Sequence, residues 1–297
     1  MKMKKINLLV VLLFTAFIAN AQSIQTPAPS PFATFSQMVG LTEIKMEYSR
    51  PSVKGRNIFG TGDGYLLQYG DIWRTGANSG TQISFSTDVK VNGKEVPAGT
   101  YAIYTIPGGD EWKFILYKDL SVGGNTDDYK VEDEMASFVI KAMKPANIVE
   151  TLTFGINNIT PESTATLDLM WENAHISVLI DANADALIVK QIDEAMRNPM
   201  AGVGSLYATS ANYYYNNNKD LNKALEWMTK ACEINKSIFN LETKADIQAK
   251  LGKYKEAVST VNELYKAGET VTGGTLNFYN TTLKPRVDTK VAEWNKK

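Results

Sequence analysis

The spacing of the hydrophobic residues changes once along this chain, close to Asp181. Before that point, apolar residues alternate with polar ones in short runs that end at Gly, Pro or Asn, which is typical of β-strands. After it, apolar residues recur every three or four positions, which is typical of amphipathic helices. With 297 residues, the chain is long enough for two hydrophobic cores. We therefore expect a β domain over residues 32–181 and a helical domain over residues 182–297.

The β domain is predicted to be an antiparallel β-sandwich of jelly-roll type. Its strongest signal is the dipeptide Asn92-Gly93, which favours the tight turn of a hairpin, between two alternating runs. Eight or more strands at this spacing, with no helical pattern between them, indicate a sandwich and not a parallel α/β fold. The predicted strands are Leu41–Tyr48, Thr81–Phe85, Val89–Val91, Lys94–Val96, Thr100–Ile106, Glu111–Tyr117, Phe138–Met143, Thr151–Ile156, Thr164–Trp171 and His175–Ile180.

The helical domain resembles tetratricopeptide repeats. Ala224 and Ala257 lie 33 residues apart, close to the repeat period of about 34, and a small residue is needed where paired helices cross closely. The predicted turns inside the two helical hairpins are Asn217–Asn222 and Leu251–Lys253. Leu276–Trp294 is expected to supply capping helices, although Pro285 is expected to break them.

The N-terminus has the three parts of a secretory signal peptide. Three lysines in the first five residues precede an apolar run over Ile6–Ile18, and small residues at Ala19 and Ala21 fit a cleavage site. We expect a signal peptide over residues 1–21, then a Pro-rich linker over residues 22–31. The apolar run is short for a membrane span, which favours a cleaved signal peptide over an anchor helix. No other stretch approaches spanning length, so we expect no membrane-spanning segment after cleavage. No cysteine follows the cleavage point, so we predict a periplasmic or secreted protein that is not a lipoprotein.

The composition excludes several classes of site. The chain has one histidine, His175, and one cysteine, Cys232, so histidine-based catalytic triads, four-cysteine zinc sites and internal disulfides cannot form. We expect no metal and no cofactor, with His175 packed or at the surface and Cys232 a buried free thiol. The net charge of −1 gives no reason to expect a nucleic-acid partner, which requires a strongly basic face.

The segment from Glu47 to Phe85, here called the arginine segment, contains the candidate binding site. The chain has only five arginines among its 31 basic side chains, yet three of them fall in this segment. Because the planar guanidinium binds carboxylate, phosphate or sulfate through two parallel hydrogen bonds, we predict a small site for an anionic or glycan ligand. The candidate ligand-binding residues are Tyr48, Arg50, Lys54, Arg56, Trp73, Arg74 and Asn78, with Tyr48 or Trp73 as a stacking wall.

A structural interpretation of the same arginines stays open. They would pair with nearby carboxylates and hold a long loop against the sheet. The available partners are Glu43, Glu47, Asp63 and Asp71. The glycines of Gly60–Gly64 are interpreted as a turn and not as a nucleotide-binding loop, because no Lys-Ser/Thr pair and no helical pattern follow them.

The β region resembles the domain-of-unknown-function 2911 family over about residues 30–180. The resemblance is carried by Tyr48–Pro51, Lys54–Arg56, Ile58–Gly60, Tyr69-Gly70, Trp73–Asn78 and Pro97–Tyr101. It implies an exported protein of a Bacteroidetes-type bacterium, sometimes with helical repeats after the β domain, and it implies no activity. Ser79 departs from the acidic residue that often follows the asparagine in the family, so no carboxylate function is expected at that position.

Three functions agree with these features. The first is a non-enzymatic binding or assembly protein, in which the β domain holds an anionic or glycan ligand and the helical repeats dock a protein partner. The second is a hydrolase or isomerase that acts through carboxylates on an anionic or sugar substrate, which requires a solvent-accessible carboxylate near Arg50 or Arg74. The third is a structural envelope component without a small ligand.

Overall fold

A computed structural model describes residues 26–197 and 203–297. Its contacts divide the chain into two compact units that meet between Asp185 and Ala186. The predicted signal peptide lies outside the described residues, as does the first part of the predicted linker. Residues 26–31 form neither helix nor strand. No helix within the two described stretches has the length and hydropathy needed to cross a membrane.

The first unit is built from β-strands, and each strand predicted from the sequence is present with small shifts at its ends. The strands are β1 (Phe32–Val39), β2 (Thr42–Ser49), β3 (Asn57–Gly60), β4 (Tyr65–Gln68), β5 (Thr81–Phe85), β6 (Val89–Val91), β7 (Lys94–Val96), β8 (Gly99–Ile106), β9 (Glu111–Tyr117), β10 (Glu134–Lys141), β11 (Val149–Asn157), β12 (Thr164–Glu172) and β13 (Ala174–Asp181). Strands β1, β3 and β4 were not predicted from the sequence.

The strands form two large sheets and one small one. The six-stranded sheet has the order β1-β2-β5-β8-β9-β10, and the five-stranded sheet has the order β11-β12-β13-β6-β7. All pairings in these two sheets are antiparallel, whereas β3 and β4 pair in parallel. The β6–β7 hairpin turns at Asn92 and Gly93, whose φ angles of 48° and 80° match the positive values that this turn requires.

The core of this unit takes side chains from both large sheets. Strand β2 shows the period of two, with Thr42, Ile44 and Met46 buried and the intervening residues open to solvent. The largest fully buried side chains in the core are those of Trp112 from β9 and Trp171 from β12. A mostly antiparallel β unit at the N-terminal side is therefore confirmed.

The second unit is helical, as the change of period at Asp181 predicts. The first helix, α1 (Ala184–Arg197), begins just before the boundary between the units. The helices after it are α2 (Val203–Asn216), α3 (Leu221–Ile234), α4 (Ile238–Lys250), α5 (Tyr254–Gly268), α6 (Gly273–Phe278) and α7 (Lys284–Trp294). The two predicted turns lie between α2 and α3 and between α4 and α5. Ala224 and Ala257 are fully buried in the helical core, and Cys232 is a buried free thiol, as predicted.

The prediction that Pro285 breaks the C-terminal helices is wrong. Residues Tyr279–Leu283 adopt a π-helix between α6 and α7, so the chain stays helical through this stretch. Pro285 falls in the first turn of α7, where its missing N–H removes no helical hydrogen bond and its fixed φ suits the helix.

Candidate functional site

The three guanidinium groups of the arginine segment donate to neutral oxygens at three places. Arg50 donates from Nε to the Leu152 carbonyl and from Nη2 to Thr153 Oγ1, both at 2.9 Å. Arg56 donates to the carbonyl oxygens of Val53 and Ser52 at 3.0 and 2.6 Å. Arg74 donates from Nη1 to the Gly124 carbonyl at 3.2 Å. Each arginine therefore satisfies the backbone of a loop or strand end.

The alternative prediction of arginine–carboxylate pairs is wrong in that form. Within residues 26–197, none of the three arginines of the segment forms an ion pair, and Glu47 pairs with Lys45 at 3.0 Å instead. Among the guanidinium nitrogens of these three arginines, Nε of Arg74 alone is both buried and without a hydrogen-bond partner within the described residues. The arginines do hold loops in place, but through carbonyl oxygens, because loop backbone that leaves a sheet needs donors for its free carbonyls.

Tyr48 and Trp73 are core residues and do not form the predicted stacking wall. The hydroxyl of Tyr48 accepts a hydrogen bond from the backbone N–H of Phe154 at 3.1 Å. The indole of Trp73 donates to the Gly76 carbonyl at 3.1 Å and stacks on Trp171, with ring centroids 5.6 Å apart. Both side chains are buried, so neither ring face is open to a ligand.

The remaining predicted site residues lie at two locations. Asn78 is exposed, and its side-chain amide donates to Ser49 Oγ at 3.2 Å. Gly124 lies close to both Asn78 and Arg74: a Cβ added to Gly124 would be 2.6 Å from the Asn78 carbonyl oxygen and 3.3 Å from Arg74 Cδ. Lys54 is exposed, and its backbone N–H donates to the Glu150 carboxylate at 2.9 Å. Asn78 and Arg74 are therefore brought together, while Lys54 and Arg56 belong to a separate turn.

A cavity of about 440 Å³ lies elsewhere in the β unit, and none of the seven predicted site residues lines it. We call it the tyrosine cavity. Its lining residues are Asn57, Phe59, Tyr65, Tyr69, Gly108, Gly109, Asp110, Trp112, Ala142, Met143, Lys144, Glu172, Asn173 and Ala174. This volume is within the range of small-molecule sites, about 300–1,000 Å³.

The tyrosine-bearing strand β4 is held in place by backbone contacts. Gly60 lies directly against the ring of Tyr65, where an added Cβ would be 2.4 Å from the nearest ring carbon. The Tyr69 N–H donates to the Gly60 carbonyl at 2.8 Å, and the Gly70 N–H donates to the Pro107 carbonyl at 2.9 Å. Gln68 closes the intervening turn, with its side chain bonded to both the N–H and the carbonyl of Gly62 at 2.9 Å. These contacts orient the two tyrosines before any ligand binds.

The cavity has an aromatic floor and partly open aromatic walls. Phe59 and Trp112 are buried and in edge contact, with centroids 4.8 Å apart. Tyr65 and Tyr69 are 39% and 38% exposed, and their hydroxyl groups have no hydrogen-bond partner among the residues described here. Aromatic side chains of this kind offer an apolar face together with a polar tip.

Most polar side chains around the cavity have no partner in the described part of the chain. Within residues 26–197, the side chains of Asn57, Asp110, Lys144 and Asn173 make no hydrogen bond or ion pair. Glu172 accepts only one long hydrogen bond, from the Ile58 N–H at 3.4 Å. Amide, carboxylate, ammonium and phenol groups are thus all available to a ligand at one location.

The backbone of Glu172 is unusual. Its φ angle is 50°, in the left-handed region where residues with a Cβ are strained. It stands at the turn between β12 and β13, whose last pair is Trp171 and Ala174, and glycine is the common residue at such a position. Strained residues of this kind cluster at functional sites.

The charges at the cavity affect the Tyr69 hydroxyl. Burial raises the pKa of Tyr69, and its electrostatic interaction with Tyr65 adds to the shift. The carboxylates of Glu172 and Asp110 raise the same pKa further. The hydroxyl is therefore protonated at neutral pH and available as a donor.

A second polar cluster, on β12 and β13, is internally satisfied. His175 Nε2 contacts Asp168 Oδ1 at 2.9 Å, while Asn157 and Thr166 donate to Asp168 Oδ2 at 2.8 and 3.0 Å. Burial alone would raise the pKa of Asp168, but these hydrogen bonds, with one from Ser177, lower it below its ordinary value. His175 is thus a packed residue, and no group of three His, Cys, Asp or Glu side chains able to hold a metal ion occurs in residues 26–197 or 203–297.

The comparisons with known proteins assign the β unit to a family. The model of a family described as "Protein of unknown function (DUF2911)" matches residues 30–180, which is half of the chain. The comparisons with curated proteins and with solved structures found no match.

Proposed function

This chain belongs to the DUF2911 family, and we propose that it is an exported, non-enzymatic binding or assembly protein whose β unit holds a glycan in the tyrosine cavity. One observation carries the proposal. Two partly exposed tyrosine rings line a preformed cavity of about 440 Å³ together with amide side chains and the Asp110 carboxylate, which have no partner among the described residues, and the Glu172 carboxylate, which accepts one long bond. A sugar ring has a face of C–H groups that packs on an aromatic ring and hydroxyl groups that bond to amides and carboxylates.

The site is placed at the tyrosine cavity and not at the arginines. The guanidinium groups of Arg50 and Arg56 are already occupied by backbone carbonyls. The cavity has two carboxylates, Asp110 and Glu172, against one lysine, Lys144. An anionic ligand would face a net negative site, so a glycan without acidic groups is favoured over a phosphate or sulfate.

We propose, on the same grounds, that the two large sheets face each other as a sandwich. The proposal is supported by a single hydrophobic core that takes buried residues from both sheets, such as Met46 from β2 and Leu167 from β12. We also propose that the helical hairpins α2–α3 and α4–α5 are tetratricopeptide-like units. Ala224 and Ala257 occupy equivalent buried positions in the second helix of each hairpin.

The helical unit is proposed to dock a protein partner. A groove of about 600 Å³ runs beside α2 and is lined by Ala208, Asn212, Ile234 and Asn240, among others. Ile234 is 59% exposed, so an apolar group lies open next to amide side chains. A photo-crosslinking residue in place of Ile234 is expected to capture a protein partner in the periplasm. The same residue in place of Glu293, exposed and outside the groove, is the control that should not.

Export is tested separately. Cleavage is expected after Ala21, so mass spectrometry of the periplasmic or secreted protein should find Gln22 at the N-terminus. A mass that still includes Met1–Ala21 would contradict this part of the proposal.

The binding proposal is tested with immobilised glycans and the full mature chain. Tyr69→Ala removes an aromatic wall and is expected to weaken glycan binding about tenfold, equivalent to about 1.4 kcal/mol. Phe32→Ala is the matched control, since Phe32 is 64% exposed and does not line the cavity. If no glycan binds the wild type, or if both variants bind as wild type does, the proposed function is wrong.

A second candidate, a glycoside hydrolase, is favoured by one observation. Asp110 and Glu172 line the same cavity, and glycosidases use a carboxylate pair as acid and base or nucleophile, with water added across the glycosidic bond. Release of shorter fragments from an end-labelled oligosaccharide by the wild type, and not by Asp110→Asn or Glu172→Gln, would establish the hydrolase in place of the binding protein.

A further inference from the structure

We propose that the glycan carries an ammonium group, held in the tyrosine cavity between the aromatic face of Tyr69 and the carboxylates of Asp110 and Glu172. The inference rests on the proposed function and adds the charge of the ligand to it. Its basis is the combination of aromatic surface and uncompensated negative charge on one cavity.

The two carboxylates are not neutralised by the protein. Asp110 has no hydrogen bond or ion pair to its side chain among the residues that the structure describes, and Glu172 accepts only the 3.4 Å bond from Ile58. Lys144 also lines the cavity but lies beyond ion-pair distance of both. A ligand with one positive charge would therefore compensate the site, while a neutral ligand would leave it negative.

The aromatic rings add a second, independent attraction for a cation. Ammonium groups bind over the faces of tyrosine and tryptophan rings, and the attraction is larger where water is excluded. Tyr65 and Tyr69 each expose more than a third of their surface, above the buried rings of Phe59 and Trp112. The carboxylates lie near enough to Tyr69 to raise the pKa of its hydroxyl, so a cation next to this ring interacts with both kinds of group.

The strained backbone of Glu172 supports the same assignment. Glycine would fit its φ angle of 50° without strain, yet a carboxylate occupies the position. Glu172 therefore combines a strained backbone with a carboxylate that lines the cavity, and strained residues cluster at functional sites.

The test compares two tetrasaccharides that differ only in charge. One consists of four β-1,4-linked glucosamine units, which are cationic at pH 6, and the other is its fully N-acetylated, neutral form. We expect isothermal titration calorimetry to show at least tenfold tighter binding of the cationic form at low ionic strength. This preference should disappear in the double variant Asp110→Asn/Glu172→Gln.

Glu111→Gln is the matched control variant. Glu111 is exposed and next to Asp110 in sequence, but it does not line the tyrosine cavity. Removal of the Glu111 charge should leave the preference for the cationic tetrasaccharide unchanged. An equal loss in Glu111→Gln and in the double variant would attribute the preference to general surface charge and would overturn the inference.

The other outcomes separate this inference from the proposed function. If both tetrasaccharides bind equally and Tyr69→Ala weakens both, the ammonium inference is wrong and glycan binding stands. If neither binds, both are wrong. If the amide of Nα-acetyl-lysine, which has the ammonium but no sugar, binds as tightly as the cationic tetrasaccharide, the ligand is an amine of another source and the glycan assignment is wrong.

Discussion

Replacement of Glu172 by glycine is expected to stabilise the β unit while it abolishes the preference for a cationic ligand. Glu172 has a φ of 50°, which is costly for any residue with a Cβ. The carboxylate contributes little to folding in return, because its one hydrogen bond, from the Ile58 N–H, is long at 3.4 Å. Strained residues cluster at functional sites, and Glu172 also lines the tyrosine cavity, so we expect its carboxylate to act on a ligand.

The magnitude follows from the backbone conformation. Left-handed backbone costs a non-glycine residue about 1–2 kcal/mol, and glycine removes this cost. Glycine is more flexible in the unfolded chain, and this lowers the free energy of unfolding by about 0.5–1 kcal/mol. The net expectation is a gain of up to about 1.5 kcal/mol in the free energy of unfolding, or a rise of up to about 6 °C in the melting temperature of a unit of this size.

Two assays on the same protein samples separate the effects. Urea unfolding followed by tryptophan fluorescence reports the β unit through its buried Trp73, Trp112 and Trp171 and the helical unit through Trp227, so the shift is expected in the β-unit transition. Calorimetry with the cationic tetrasaccharide reports binding. Lys54→Gly is the matched control, since Lys54 has a φ of 49° and is exposed but does not line the cavity. It should gain similar stability and keep its binding. A loss of more than about 1 kcal/mol in Glu172→Gly would show that the glutamate supports the fold and would refute the reasoning from strain.

Three further predictions concern packing, the arginines and pH. Ala224→Leu and Ala257→Leu should each lower stability by about 1–3 kcal/mol through overpacking of fully buried positions, and wild-type melting of both would show that these alanines are not at close helix crossings. Arg74→Lys should lower stability by about 1–3 kcal/mol, because the hydrogen bond to the Gly124 carbonyl is disturbed, and it should leave glycan binding unchanged. Unchanged stability with a loss of glycan binding would place the ligand site in the arginine segment. Since folding lowers the pKa of Asp168, its stabilising contribution should be complete above the ordinary Asp pKa of about 3.9 and decline as the pH falls through the lower, folded value. Urea unfolding from pH 6 to pH 2 should thus show a weaker acid dependence in Asp168→Asn, and equal slopes would contradict the assignment.

The strands and helices were accessible to sequence analysis because their patterns are local. Thr81–Phe85 alternates without interruption and forms β5 over those residues. Asn92-Gly93 predicts the β6–β7 hairpin because both residues favour the positive φ angles of its turn. Strand β1 has exposed apolar residues such as Phe32 and Met38, so its pattern does not alternate between apolar and polar residues as an ordinary strand does. Strands β3 and β4 have four residues each and pair in parallel, so they show no clear period and no hairpin turn joins them. The even shorter β6 and β7 were predicted only because Asn92-Gly93 lies between them.

The tyrosine cavity was not predictable, because its walls come from five separate parts of the chain. Tyr65 and Tyr69 meet Asp110 and Glu172 only through the pairing of strands that are distant in sequence. A local signal did exist, since both tyrosines flank glycine-rich turns that allow a close backbone approach. The contacts of the arginines with backbone carbonyls could not be predicted, because an arginine that binds a carbonyl and one that binds a ligand are the same residue in the sequence.

The most direct test of the central claim is a titration of ¹⁵N-labelled protein with the tetrasaccharide that binds more tightly, followed by backbone amide chemical shifts. We expect the largest changes at Tyr65–Tyr69, Gly108–Asp110 and Glu172–Ala174, which converge only at the tyrosine cavity. Changes centred instead on Arg74, Asn78 and Gly124, or spread evenly over the surface, would contradict the assignment of this cavity as the ligand site.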